Sequence, residues 1–149
     1  RATLVKLLTA LAMIDQQIIF PIHPRTKNNI AAFGLGSLVV RAKNLKLIEP
    51  VGYQDMLSLE ANAEIIMTDS GGVQKEAYLF KTRCITLRDD TEWVETVEEG
   101  WNTLVGSDPK KLLSAVRRAS RPRQHRNFLG NGRSGIKIVK IISRFLNRR

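Results

Sequence analysis

The sequence predicts an α/β domain built on a parallel sheet, and three observations predict it. Short apolar runs alternate with longer segments whose apolar side chains recur at helical spacing. The runs are continuously apolar rather than alternating, which suits strands buried on both faces. Three stretches of unusual polar chemistry follow runs of this kind, at the end where parallel sheets bind ligands.

The elements follow in order. Leu4, Leu7, Leu8 and Leu11 fall at i, i+3, i+4 and i+7, so a helix is expected from Ala2 to about Asp15. Ile18, Ile19, Phe20 and Ile22 make the first strand. Pro24-Arg25-Thr26-Lys27 turns the chain into a short helix toward Phe33, which Gly34 and Gly36 break. Leu45, Leu47 and Ile48 form a second strand that Pro50 ends. A helix over Tyr53 to about Ala63 points Met56, Leu57, Leu59 and Ala63 inward. Ile65, Ile66 and Met67 are the third strand, Asp69-Ser70-Gly71-Gly72 the turn, and Val73 to Phe80 the next helix. Cys84, Ile85 and Leu87 are the fourth strand, and a polar stretch from Arg88 to Thr96 precedes a short strand at Thr103-Leu104-Val105. Pro109 at a first helical position opens a helix from Lys110 to about Ala119. The last helix spans about Arg133 to Asn147, within a basic amphipathic segment of about 132–147. Strand–helix alternation of this order reads as a Rossmann-like parallel sheet flanked by helices, with right-handed crossovers.

Composition narrows the class. A hydrophobic fraction of 43% and a charged fraction of 26% in 149 residues give one ordinary globular domain rather than a disordered chain. No apolar run reaches the ~20 residues of a membrane span. The opening RATLVKLLTALAMIDQQ lacks a small-residue cleavage site and reads as an amphipathic helix, not a signal peptide. One cysteine forms no internal disulfide, which fits the cytoplasm. The chain opens in mid-pattern without an initiator Met, as though part of something larger.

The net charge of +10 is unevenly held. Residues 1–108 carry 11 Lys/Arg and 14 Asp/Glu, whereas residues 109–149 carry 13 Lys/Arg and no acid. Arg133, Lys137, Lys140, Arg144 and Arg148 form a cationic stripe beside an apolar face of Ile136, Val139, Ile142 and Leu146. Such a helix can lie on an anionic membrane or attract nucleic acid. No nucleic-acid-reading motif accompanies it, so a docked, half-solvated terminal helix is the preferred reading.

Thr68-Asp69-Ser70-Gly71-Gly72 leaves a strand and opens a helix. Two glycines permit close approach to a ligand, and unpaired N–H groups with the helix dipole attract phosphate or diphosphate. The alternative is a plain turn capped by Asp69 or Ser70. Glu76, on the first turns of that helix, is placed to accept both hydroxyls of a ribose, or merely complements the helix start. His23 and Arg25 sit immediately after the first strand, where a site role and a structural one weigh about equally. Arg88 leads Arg88-Asp89-Asp90-Thr91-Glu92-Trp93, and either meets a phosphate or sugar acid or stiffens its own loop. Cys84 reads as core, His23 and His125 have no ligand spacing around them, and Ser70 lacks a nucleophile elbow. No metal and no cofactor are expected.

Taken in order, these pieces resemble a family. Pro-Ile-His-Pro-Arg-Thr, Glu-Pro-Val-Gly-Tyr, Thr-Asp-Ser-Gly-Gly-Val-Gln-Lys-Glu-Ala, Ile-Thr-Leu-Arg-Asp-Asp-Thr-Glu-Trp-Val-Glu-Thr and Leu-Val-Gly resemble the C-terminal half of non-hydrolysing UDP-N-acetylglucosamine 2-epimerases. The likeness runs from about Leu4 to Ile142, and Asp-Ser-Gly-Gly-Val-Gln-x-Glu is its most specific part. Phe128-Leu129-Gly130-Asn131-Gly132 looks like the family's Tyr-Gly-Asp-Gly.

The resemblance implies a GT-B architecture of two domains, with a UDP-sugar in the cleft between them. It implies removal of the C2 proton, elimination of UDP from C1, and re-addition with C2 inverted. By motif, Ser70, Gly71 and Gly72 would hold the diphosphate and Glu76 the ribose, with Val51 and Met56 near the uracil. Trp93 stands where many members have Arg, and Lys75 and Arg83 replace a Glu and a Pro. The Thr-Glu-Trp-Val-Glu-Thr element looks like the branch acting on UDP-diacetamido-glucuronate or related sugars.

The family's catalytic carboxylates and its His-Arg-x-Glu-Asn histidine match nothing in this chain. A missing N-terminal half is therefore an expected partner, and the first, central strand of the sheet is expected to be absent. The implied full-length protein is a homodimer without nucleic acid. The competing readings are a UDP-sugar glycosyltransferase C-terminal domain and a basic-tailed module for nucleic acid or membranes.

Overall fold

α1 (Ala2–Ala12) buries Leu8, Ala10 and Leu11 on one stripe and stops short of the expected Asp15. Asn44 sets that stop, its side-chain amide donating to Leu11 O at 2.9 Å and Ile14 O at 2.8 Å. β1 (Ile18–Pro21) follows, then α2 (Pro24–Ala32), whose Pro24 lies in its first turn. Gly34 has a φ of +67°, yet the expected break is only a corner, because α3 (Gly36–Arg41) begins at once. β2 (Leu45–Ile48), α4 (Tyr53–Asn62) and β3 (Ile65–Thr68) complete the first part of the chain.

α5 (Gly71–Leu79) starts two residues earlier than the sequence suggests, so Gly71 and Gly72 are its first turn. β4 (Arg83–Thr86) is followed by a loop and then by α6 (Val94–Glu98), a short helix that begins within the polar stretch Arg88–Thr96 and runs past it. Its five residues are too few for a periodic signal to register. β5 (Asn102–Leu104) leads to α7 (Pro109–Arg117), capped by Asp108, whose carboxylate accepts from Lys110 N at 2.8 Å and Lys111 N at 3.2 Å. α8 (Ser134–Leu146) ends the fold. The computed structural model describes residues 1–118, 121–122 and 124–147. The expected helix end at Ala119 and the stripe's Arg148 lie outside them.

Every strand pairing is parallel, but the strands form two sheets. β1 pairs with β2, Ile18 opposite Leu45. β3, β4 and β5 form the second sheet in that order, with Ile65 opposite Arg83 and Cys84 opposite Asn102. The expected gap in the sheet therefore lies between β1 and β3. α1 bridges the two halves. Leu8 packs with Ile22, Ile30 and Leu45 beneath the first sheet, while Ala10, Leu11 and Ile14 pack with Ile85, Val105 and Leu112 beneath the second. Burying such side chains gives about 1.5–3 kcal/mol each, so α1 couples the halves.

Two features depart from the sequence reading. Glu60 is buried at 2% exposure, although Met56, Leu57 and Leu59 on the same helix are only half-buried. α8 is not docked. None of its residues is buried, and Ile138, Ile141 and Phe145 stand in solvent. Among the described residues, no helix is long and apolar enough to cross a membrane.

Candidate nucleotide site

Side-chain contacts tie the strand exits together at one end of the molecule. Lys27 pairs with Glu49, joining the exit of β1 to that of β2. Tyr53 donates its hydroxyl to Glu76 Oε1 at 3.1 Å, joining the exit of β2 to the helix after β3. The Glu76 carboxylate in turn holds the Tyr53 phenol above its ordinary value. This end of the gap between β1 and β3 is the switch point at which ligands of open α/β sheets sit.

The turn between β3 and α5 is shaped by the sequence Thr68-Asp69-Ser70-Gly71. Ser70 N donates to Thr68 Oγ1 at 3.0 Å, which folds the chain back on itself. Ser70 is the N-cap in extended backbone, but its hydroxyl makes no capping bond, and its side chain is exposed. The first N–H groups of α5 thus keep their capacity for an anion. Gly71 is needed for space. A Cβ there would collide with Glu92 Oε1 and come within 3.3 Å of Trp93 Nε1.

The loop after β4 covers this turn. Arg88 binds Asp90 Oδ1 and Glu92 Oε2, both at 3.1 Å, which holds its guanidinium above the ordinary range. Lys75 lies 4.6 Å from the centre of the Trp93 ring, a cation–π contact between two residues that depart from the family pattern. Below them Gln74 is fully buried. Its Oε1 accepts from Thr91 Oγ1 at 2.6 Å and Asn102 Nδ2 at 3.0 Å. Asn102 Oδ1 accepts from Thr86 Oγ1 at 2.7 Å, so a buried polar chain fastens the loop to β4, β5 and α5. Two donors, Gln74 Nε2 and Trp93 Nε1, are buried with no partner among the described residues, and the second lies beside Gly71.

The structure thus gathers Ser70, Gly71, Gly72, Glu76 and Arg88 around one helix start. Val51 and Met56 line the gap between β1 and β3 beside Asp69. His23 and Arg25 are not brought into this cluster. His23 caps α2, its Nδ1 accepting from Arg25 N at 3.1 Å, and both side chains are exposed.

Residues 1–143 match the family model of UDP-N-acetylglucosamine 2-epimerases. The chain belongs to this family. It is 52% identical over 130 residues to a UDP-N-acetylglucosamine 2-epimerase of Methanocaldococcus jannaschii, covering 87% of this chain and 36% of that one. It is 42% identical over 100 residues to the UDP-2,3-diacetamido-2,3-dideoxy-D-glucuronate 2-epimerase of Pseudomonas aeruginosa, covering 67% and 27% respectively. A crystal structure of the M. jannaschii UDP-GlcNAc 2-epimerase in complex with UDP-GlcNAc and UDP superposes with a TM-score of 0.84 at 48% identity, covering 95% of this chain and 40% of that one. The chain therefore spans about two fifths of the length of its relatives.

Within this epimerase-family chain, sequence reasoning overlooked Tyr53 and Gln74. Tyr53 gave no signal beyond opening a helix. Gln74 lies three residues beyond Gly71 on the same helix, and a buried amide there is legible only once Thr91 and Asn102 are known to face it.

Proposed function

We propose that this chain supplies the nucleotide-binding part of a UDP-sugar 2-epimerase. The observation that carries the reading is the start of α5, where a glycine-lined helix N-terminus lies beside the unpartnered donor Trp93 Nε1. A diphosphate carries the charge and acceptor oxygens that such a place favours. Glu76, held by Tyr53, offers a carboxylate for the ribose hydroxyls, and Val51 and Met56 a half-apolar wall for the base. Cys84, the one cysteine, is free and buried, and a chain that uses no disulfide accords with the cytoplasm.

In the full-length protein the reaction would remove the C2 proton and break the C1–O bond, releasing UDP and a 2-acetamidoglucal. Re-addition of UDP with protonation on the opposite face inverts C2. The UDP-diacetamido-glucuronate named for the Pseudomonas relative and the Thr91–Thr96 element favour that sugar nucleotide as a second reading.

Calorimetry with UDP, uridine and inorganic diphosphate tests the site. UDP should bind more tightly than either part, and Gly71→Asp and Glu76→Ala should each weaken it. Equal UDP binding by both variants and the parent would remove the site from this turn.

A further inference from the structure

We propose that the chain carries a second anion site, for a compact anion of the diphosphate type, in a cavity at the starts of β4 and β5 where Arg83, Arg118 and Arg121 converge. The cavity holds about 450 Å³. Arg83 is the first residue of β4, and Gly100 and Trp101 immediately precede β5. Arg118 closes α7, and Arg121 and Pro122 follow it. Because the strands of this sheet are parallel, their starts lie at the end away from the α5 turn, which follows the end of β3. The two sites are thus separate.

The charges in the cavity are poorly answered by the protein itself. Arg83 is half-buried at a strand start, where the family pattern has Pro. Burial lowers its guanidinium from the ordinary value, and the charges of Arg118 and Arg121 lower it further. Like charges gathered about one space each raise the cost of the others. Arg83 Nη2 donates to Ala115 O at 2.8 Å in the last turn of α7, which uses one of the five N–H donors of its guanidinium. Among the described residues, none of the three arginines pairs with a carboxylate. Two acids line the cavity. Glu99 is already committed, since it accepts from the Tyr78 hydroxyl and from Arg126 N at 3.2 Å, and lies 3.6 Å from Arg126 Nε. Glu98 is exposed and bonds to none of the three. Capping of α7 therefore accounts for one bond of one arginine, and not for the meeting of three.

The chemistry of the lining selects the ligand. Guanidinium forks bind phosphoryl oxygens in pairs, and three of them match the charge of a diphosphate better than that of a single carboxylate. The volume admits a diphosphate with a small organic part, for which Trp101 and Pro122 offer an apolar wall. A nucleic-acid strand is tracked by a long basic groove, whereas these arginines surround one cavity. Free diphosphate and the diphosphate of a nucleotide present the same groups. The inference stands whether or not the α5 turn binds UDP.

The test titrates the full 149-residue chain with inorganic diphosphate, and separately with UDP, at about 0.15 M salt. The NMR reporters are the Gly100 amide and the Trp101 indole N–H, which donates to Gln124 O at 2.8 Å in the cavity wall. Both signals should move saturably with inorganic diphosphate. Arg118→Gln with Arg121→Gln, at two exposed positions, should weaken that binding at least about tenfold. Lys137→Gln with Lys140→Gln removes equal charge from α8 and should change it under about twofold. Movement with UDP as well would assign the ligand to nucleotide diphosphates, and movement with inorganic diphosphate alone to the free anion. Absence of saturable movement with inorganic diphosphate, movement only at the amides of Ser70 to Gln74, or equal weakening by the two double variants would overturn the proposal. Failure of the α5 reading registers separately, at the amides of Gly71 and Gly72.

Discussion

The Glu92 carboxylate lies over Gly71 at the start of α5, beside the N–H groups suited to an external anion but accepting from none of them. Arg88 fixes it there through Oε2. A diphosphate arriving at this helix start meets a like charge beside it.

Glu92→Gln should therefore bind UDP about two- to fivefold more tightly, since a charge at a helix terminus is worth about 0.3–1 kcal/mol. Titration calorimetry at low salt measures it. Unchanged or weaker binding would mean that Glu92 is no competitor for the site.

Gly71 and Gly106 should respond differently to alanine. Gly71 has an ordinary φ, and the obstacle to a Cβ is the end of the half-exposed Glu92 side chain. Gly71→Ala should cost under about 1 kcal/mol in folding while weakening UDP about tenfold. Gly106 has a φ of +57° and faces Asp89 Oδ1, so Gly106→Ala should lose about 1–2 kcal/mol through its backbone. Denaturant melts of the two variants, read beside their UDP affinities, separate space from strain. Equal loss of stability in both would contradict this.

The contrast shows what the sequence could and could not reveal. The Ser70 turn was legible because its glycines, its strand and its helix are local. Ile18–Ile22 and Ile65–Met67 were legible as strands because their apolar runs are unbroken, but not as buried ones, since Ile19 is 49% exposed. Glu92 over Gly71 was not legible, since it depends on how a loop after β4 crosses a turn after β3. Nor was α3, which begins at a glycine, or the capping role of His23. Charged residues on helices ordinarily face water, so Glu60 gave no sign of burial.

Glu60 makes stability depend on pH. Burial, and secondarily the charge of Glu76, push its carboxyl from an ordinary 4.5 up to about 7. Neither oxygen has a partner among the described residues. Between about 4.5 and 7 the native chain holds a proton that the unfolded chain releases, so stability falls as pH rises through that window and levels above it. The loss should be about 1–3 kcal/mol by pH 8. Glu60→Gln should flatten this dependence and be the more stable protein at pH 8. Chemical melts between pH 5 and 8 measure both slopes, and parallel slopes in the two proteins would show that Glu60 titrates unperturbed.

α8 should contribute nothing to the stability of the rest of the chain. It has 13 residues, no buried side chain, and no acid to pair with Lys137, Lys140 and Arg144 along its length. Isolated helices of this length are marginal in water, and no buried contact supports this one. Its face of Ile138, Ile141, Ile142 and Phe145 is more than half exposed throughout, an apolar patch of the kind that favours association. A chain ending at residue 132 should melt within about 2 °C of the parent, since a change of 1 kcal/mol shifts a domain of this size by about 2–8 °C. Light scattering should show it to be less prone to self-association. A drop well beyond that margin would mean that α8 docks on the body in solution, with its apolar face as the contact.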